Sequence, residues 1–179
     1  MLCPLVTVAL DRGRLVVEEL WSSEVFRTGP DRLDLRNWLR VRNVRKTAGM
    51  KPRLVRPAAL AADVGYAYAA VVESLVFTAG ACPLDASGAT VAVGDVAGQA
   101  EQVMRNLRLA LHESGSGLSQ VAKSTVYVAS SARADLLQVW EVVHRHFGDR
   151  EPPSTLLGVT ALGWPDQLVE VEAVAVLPA

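Results

Sequence analysis

Cysteine is scarce in this chain: Cys3 and Cys82 are the only two in 179 residues, far apart and in no metal or redox spacing. That excludes a disulfide framework and suits a reducing compartment, so a cytoplasmic location is expected. Histidine is nearly as scarce. His144 and His146 stand two apart in a helical pattern and face different directions, with His112 on another element, so no metal site is expected. The apolar start, Leu5 to Leu10, is short, has no basic residues before it and is followed by charges, unlike a signal peptide or a membrane span. An excess of one charge is missing too: the formal net charge is −1, so no global basic field recruits nucleic acid or an anionic membrane. Gly88, Gly94 and Gly98 do not make a nucleotide-binding loop, and no P-loop or dinucleotide fingerprint occurs, so no cofactor is expected. The last absence is local. No Lys or Arg follows Arg150.

What is present is the composition of a globular protein, 50% hydrophobic and 21% charged, with length for one domain and a small appendage. Charge divides the chain. Residues 1–49 carry nine Lys/Arg and six Asp/Glu, a net of +3, whereas residues 50–179 carry nine and thirteen, a net of −4. In the first part, Val6 to Leu10 and Leu15 to Val17 flank Asp11-Arg12-Gly13, which favours a hairpin. Arg32 to Lys46 is rich in Arg and Asn with isolated apolar residues. It reads either as an RNA-binding or partner-docking arm, or as a poorly ordered extension or upstream sequence before an alternative start at Met50, and the plainer reading is favoured. Residues 1–53 are therefore expected to be an extension, and residues 54–179 the working domain.

In that domain Tyr66 to Val72 and Leu75 to Gly80 are β-rich runs separated by Glu73-Ser74, a hairpin pattern. Asp85 to Gly88 is a turn. Asp95 can cap a helix whose buried face is Val96, Ala100, Val103, Leu107, Ala110 and Leu111, stopped by Gly115 and Gly117. Val121 to Ala129 reads as a strand with Lys123, Thr125 and Tyr127 on one face. Ser130-Ser131 can cap a second helix with a stripe of Leu136, Val139, Trp140, Val143 and Phe147, closed by Gly148. Leu156 to Leu162 and Leu168 to Val176 supply the last strands. The order is ββαβαββ, an α+β fold with two helices packed on one face of an antiparallel or mixed sheet. The other face then needs a cover, and a second subunit would provide one.

Val76-Phe77-Thr78-Ala79-Gly80 with Pro83, Val121 to Val128, and Leu168 to Ala175, in this order and spacing, resemble the RidA/YjgF family. The resemblance covers residues 54–179 and implies a chorismate-mutase-like fold, a homotrimer, and a small-molecule cleft between subunits. It also implies hydrolysis of enamines and imines, such as 2-imino acids, to keto acids and ammonia. The roles it implies fall on Glu170, which would position a water, Tyr66 as an aromatic wall, and Ala79-Gly80 as backbone donors. Tyr127 shares a strand face with Lys123 and would line the same cleft. The arginine that would bind the substrate carboxylate falls at Ser154, or at Thr155 with a slip of one residue, and neither is charged. Arg133, before the second helix, is the replacement cation to test, against its plainer reading as a solvated loop arginine. One residue more than the family uses falls near Gly163-Trp164-Pro165.

Losing an arginine–carboxylate contact in a partly desolvated cleft costs about 2–5 kcal/mol. The expected function is therefore a divergent family member that binds a small molecule, a keto or imino acid in type, and lacks standard imine deaminase activity. An enamine/imine deaminase using a relocated cation is the alternative. RNA binding is the weakest reading, because the main domain is acidic and phosphate contacts need clustered Lys and Arg. Glu172, alternating with Glu170, reads as structural, and Cys82 beside Pro83 as a buried small hydrophobe.

Overall fold

The computed structural model describes residues 51–178, together with the backbone of two strands nearer the N-terminus. The chain divides into two units, Met1–Lys46 and Thr47–Ala179. In the first, β1 (Val6–Asp11) and β2 (Arg14–Glu19) pair antiparallel in the register Val8↔Val17, as the hairpin pattern predicts. The Arg-rich stretch 32–46 and Met50 lie outside the described residues.

The second unit is a six-stranded mixed sheet with helices on one face. Its strands are β3 (Arg53–Val55), β4 (Ala69–Val72), β5 (Leu75–Thr78), β6 (Val121–Val128), β7 (Ser154–Gly158) and β8 (Val169–Val176), in the spatial order β3-β4-β5-β8-β6-β7. The β4–β5 hairpin turns on Glu73-Ser74, with Glu73 at φ 54, the left-handed conformation that a tight hairpin turn needs. Strand β7 runs parallel to β6 because a helix connects them; a crossover returns the chain in the same direction. The pattern missed β3, three residues with no alternation long enough to read. It also placed two strands off by a few residues. The first hairpin strand begins at Ala69 rather than Tyr66, and β7 covers Ser154–Gly158 rather than 156–162.

Helix α1 (Val96–Glu113) starts as expected: the Asp95 carboxylate accepts the backbone N–H groups of Ala97 and Gly98. Helix α2 (Arg133–Phe147) does not start as expected. Its N-cap is Ala132, with no side-chain cap, while the Ser130 hydroxyl accepts the Ala132 N–H and donates to Asp135. Gly148 closes it at φ 62. Val103, Met104, Leu107 and Leu111 of α1 and Val139 and Val143 of α2 pack with Val76, Val126, Val128, Val169 and Val171 of the sheet, all fully buried. Each such side chain contributes about 1.5–3 kcal/mol by leaving water. Arg145 and His146 of α2 both bind Glu101 of α1, tying the two helices together at the surface.

The opposite sheet face is uncovered in the protomer. Leu54, Leu75, Phe77, Leu157 and Val176 lie there at 62, 40, 43, 42 and 39% exposure. Isolated exposed apolar residues are ordinary; five on one sheet face are not.

Candidate functional site

Strand alternation decides which way the two β8 carboxylates point. Val169, Val171, Ala173 and Ala175 bury against the helices, so Glu170 and Glu172 stand on the open face. Their surroundings differ. Glu172 accepts the Tyr127 hydroxyl at 2.9 Å, and burial, then that carboxylate, pushes the Tyr127 phenol above its ordinary range. Glu170 accepts Gln167 Nε2 at 2.9 Å on Oε2, and the Cys82 thiol lies 3.8 Å from the same oxygen.

The chain after β5 is laid beside Glu170 by a single β-bridge: Ala81 N–H donates to Val171 O at 2.8 Å and Val171 N–H to Ala81 O at 3.2 Å. This places Gly80 directly on the carboxylate. A Cβ at Gly80 would stand 1.8 Å from Glu170 Oε1 and 2.6 Å from its Cγ, so only glycine leaves Glu170 where it is. Cys82, 7% exposed, has its sulfur 3.5 Å from Gly80 O and 4.0 Å from the Tyr66 hydroxyl. Burial and the neighbouring Glu170 charge push this thiol up to about 11, so near neutral pH it is a proton donor rather than a thiolate. Burial, with Cys82 next, likewise pushes Tyr66 well above the usual phenol range. Tyr66 and Trp164 pack on a second apolar cluster containing Leu60, Tyr68, Cys82 and Leu84. Tyr66, Cys82, Gly80, Gln167 and Glu170 thus form one continuous site.

Two buried amides of α1 hold its backbone. Gln99, fully buried, donates to Asp166 O at 2.8 Å and accepts Leu168 N–H at 2.7 Å, pinning the loop before β8. Asn106 donates to Cys82 O and Leu84 O, both at 2.8 Å, pinning the segment after Gly80. Gln167, 5% exposed, accepts Trp164 N–H and fixes the turn around Gly163-Trp164-Pro165. The reading of residue patterns missed Gln99, Asn106, Gln167 and the contacts of Cys82. A signal for the first two existed: both lie on the α1 seam, at steps of three and four from Val96, Val103 and Ala110, where an apolar residue is otherwise the rule.

Of the residues expected at the site, the protomer brings together Tyr66, Gly80 and Glu170. Ala79 is close by on the backbone, its N–H donating to Tyr68 O at 2.9 Å. Tyr127 is the register neighbour of Glu170 but bonds Glu172. Ser154 turns toward the helices, where its hydroxyl meets Ser124 Oγ at 2.7 Å and Pro152 O at 2.8 Å. Thr155 is exposed opposite Thr125 on the open face, so of the two it is the one that points outward. Arg133 lines a separate groove of about 860 Å³ with Ser130, Leu136 and Thr160. Two further cations border the open face. Lys123 shares a groove of about 270 Å³ with Phe77, Thr125 and Glu172. Arg56 donates to Tyr66 O in a groove of about 510 Å³ with Leu54, Phe77 and Ala79. Among the described residues, none of the ion pairs includes Glu170.

The family profile described as Endoribonuclease L-PSP matches residues 56–177, most of the chain and all of the site. The chain belongs to the RidA/YjgF family. A RutC family protein of Synechocystis is 34% identical over 131 residues, covering 72% of this chain and 99% of its own. A rat 2-iminobutanoate/2-iminopropanoate deaminase is 31% identical over 120 residues, 67% of this chain and 83% of its own. Among solved structures, E. coli TdcF with bound serine superposes with a TM-score of 0.62 at 26% identity, covering 72% of this chain and all of that one. The α+β architecture is that of the chorismate-mutase-like proteins of this family.

Proposed function

We propose that this family member binds a small carbonyl or imine-type compound in a cleft at Glu170, and that standard hydrolysis of 2-imino acids is not its main activity. The observation that carries the reading is the state of Glu170. Its Oε2 is occupied by Gln167 and approached by the Cys82 thiol, while Oε1 rests over Gly80. A carboxylate held in this way can orient a water or accept the N–H of a ligand. Tyr66 supplies an aromatic wall next to it. Related proteins are named as deaminases of 2-iminobutanoate, an anionic substrate, and one relative is described with bound serine. Here both strand positions at which the family's arginine falls, Ser154 and Thr155, are uncharged.

The homotrimer belongs to this proposal, and the apolar open face supports it. Burying Leu54, Leu75, Phe77, Leu157 and Val176 between copies would remove from water five of the eight large apolar side chains that are exposed among the described residues. The family profile's description names an endoribonuclease, but the net charge of −4 over residues 50–179 favours a small ligand over RNA.

The deciding experiment generates 2-iminobutanoate in situ with a coupled amino-acid oxidase and follows its hydrolysis. Turnover indistinguishable from spontaneous decay is expected, together with binding of 2-oxobutanoate or its methyl ester by titration calorimetry. Turnover well above the spontaneous rate would overturn the non-deaminase reading, and failure of both compounds to bind would overturn the cleft itself.

A further inference from the structure

None of the roles implied by the family resemblance falls on Gln167, which is 5% exposed and lies in the loop just before β8. We infer that Gln167 is the positioning residue of Glu170: it holds Oε2 and so commits Oε1 as the single oxygen that meets the ligand. This rests on the cleft reading above and adds to it the device that sets the working oxygen.

The two ends of the Gln167 amide are told apart by their surroundings. Oε1 meets the Trp164 N–H at 3.0 Å, a group that can only donate. Nε2 meets Val169 O at 3.2 Å and Glu170 Oε2 at 2.9 Å, and a carbonyl and an ionised carboxylate can only accept. Both N–H bonds are therefore in use, and turning the amide over would set its oxygen against two acceptors. The backbone around it is held as well. Gln99 of α1 takes the Leu168 N–H at 2.7 Å and donates to Asp166 O at 2.8 Å, on either side of Gln167. A buried and fully satisfied network of this kind specifies one geometry, because any displacement leaves a polar group unpaired.

The consequence falls on the carboxylate. An ionised glutamate has two equivalent acceptor oxygens, and a half-exposed one is free to present either. Here they are made unequal. Gln167 occupies Oε2, whereas Oε1 rests over Gly80 and receives no hydrogen bond among the described residues. The Cys82 thiol cannot be the anchor in place of Gln167. It has one proton for two acceptors, Gly80 O at 3.5 Å and Glu170 Oε2 at 3.8 Å, and a thiol is a weak donor. Gln167 also joins the carboxylate to the turn at Trp164, whose side chain packs with Tyr66 on the second apolar cluster. One side chain thus sets both the acid and the turn beside the aromatic wall.

The test uses the full chain. Gln167→Glu alters only the donor end: an oxygen remains for the Trp164 N–H, and Nε2 is replaced by a second acceptor. At pH 7.5 two carboxylates then face one another, whereas at pH 5.0 the pair shares a proton and the donor returns. Relative to the unmodified protein at the same pH, binding of 2-oxobutanoate by titration calorimetry should be about tenfold weaker at pH 7.5 and within about threefold at pH 5.0. Cys82→Ala should cost less than Gln167→Glu at pH 7.5. The other titratable groups around Glu170 are Cys82 after β5, Tyr66 before β4, Tyr127 on β6, and Asp166 and Glu172 at either end of the same segment. The thiol and both phenols are pushed upward, so they keep their protons throughout this range, and the two acids are common to every variant. A second readout needs no ligand and no altered amide. The Gln167 side-chain N–H signals should move in NMR spectra as Glu170 is titrated with acid, and should stay in place in Glu170→Gln. Amide signals that ignore the titration, or that move equally in Glu170→Gln, would overturn the assignment. So would a Gln167→Glu variant that binds normally at pH 7.5, a loss of the same size at both pH values, or a larger loss in Cys82→Ala. If the unmodified protein binds neither 2-oxobutanoate nor its methyl ester, the cleft reading falls and the role of Oε1 with it, while the amide titration still decides whether Gln167 holds Oε2.

Discussion

Replacing Gly80 with alanine adds one methyl group and, by the geometry of the site, displaces the Glu170 carboxylate. The new Cβ would stand 1.8 Å from Oε1, 2.4 Å from Cδ and 2.6 Å from Cγ. Ordinary contact begins roughly 1.5 Å further out, so the carboxylate must swing away by about that much. It cannot do so and keep Gln167 at 2.9 Å. A hydrogen bond to a charged acceptor is worth about 1.5–3 kcal/mol, part of which water recovers because Glu170 is half-exposed. The fold should tolerate the change, because the obstacle is a side chain with an exit to solvent, and φ at Gly80 is not in the left-handed range. The expectation is a loss of global stability of no more than about 1–2 kcal/mol by thermal or urea unfolding. Affinity for 2-oxobutanoate, read by calorimetry, should drop about tenfold, since a displacement of one ångström at a polar contact removes most of it. Glu170→Gln, which keeps the shape and the Gln167 side of the site, provides the comparison. An alanine variant that binds like the unmodified protein would refute the claim that Gly80 positions Glu170.

Gln99→Leu should unfold at markedly lower urea, by about 2–4 kcal/mol, because it strands the Asp166 carbonyl and the Leu168 N–H beside a core helix; a change below about 0.5 kcal/mol would refute the pinning role. Ser154→Arg should cost about 2–3 kcal/mol, since it breaks the bond to Ser124, which is 1% exposed, whereas Thr155→Arg on the outward side should be nearly neutral in the same unfolding measurement. Only Thr155→Arg is then expected to raise 2-iminobutanoate hydrolysis. Cys82 should resist iodoacetamide at pH 8 in the folded protein and react when unfolded, measured by peptide mass spectrometry. Its folded pKa, about 11, lies above the ordinary 9.0, so the fold favours the protonated thiol. That contribution is complete below pH 9 and declines as pH rises toward 11, so rapid native labelling at pH 8 would contradict it.

Much of the frame was legible in the residues. The α1 stripe with Asp95 as its cap, the Glu73-Ser74 hairpin and the in/out alternation of β8 follow from periods of 3.6 and 2, which depend only on local backbone geometry. These patterns also put Glu170 on the open face and matched the family by its three stretches. Strand β3 escaped because three residues carry no period, and the Ser130-Ser131 cap was misplaced because the hydroxyl of Ser130 satisfies a turn and Asp135 instead. The choice between Ser154 and Thr155 as the outward position was beyond reach, since a register slip of one residue reverses a strand's faces and only pairing with β6 settles it.

By itself, then, the order of residues determined the class of fold, the family, the lack of any Lys or Arg after Arg150 and the absence of a basic field over the main domain. Tertiary structure decided everything that depends on residues distant in the chain. It set Gly80 against Glu170, aimed Gln167 and Cys82 at one carboxylate oxygen, hung two backbone segments from Gln99 and Asn106, and brought Arg56 to the carbonyl of Tyr66. Local periodicity states which face a side chain occupies. Which atom it meets there is fixed by the pairing of strands and the packing of helices from other parts of the chain.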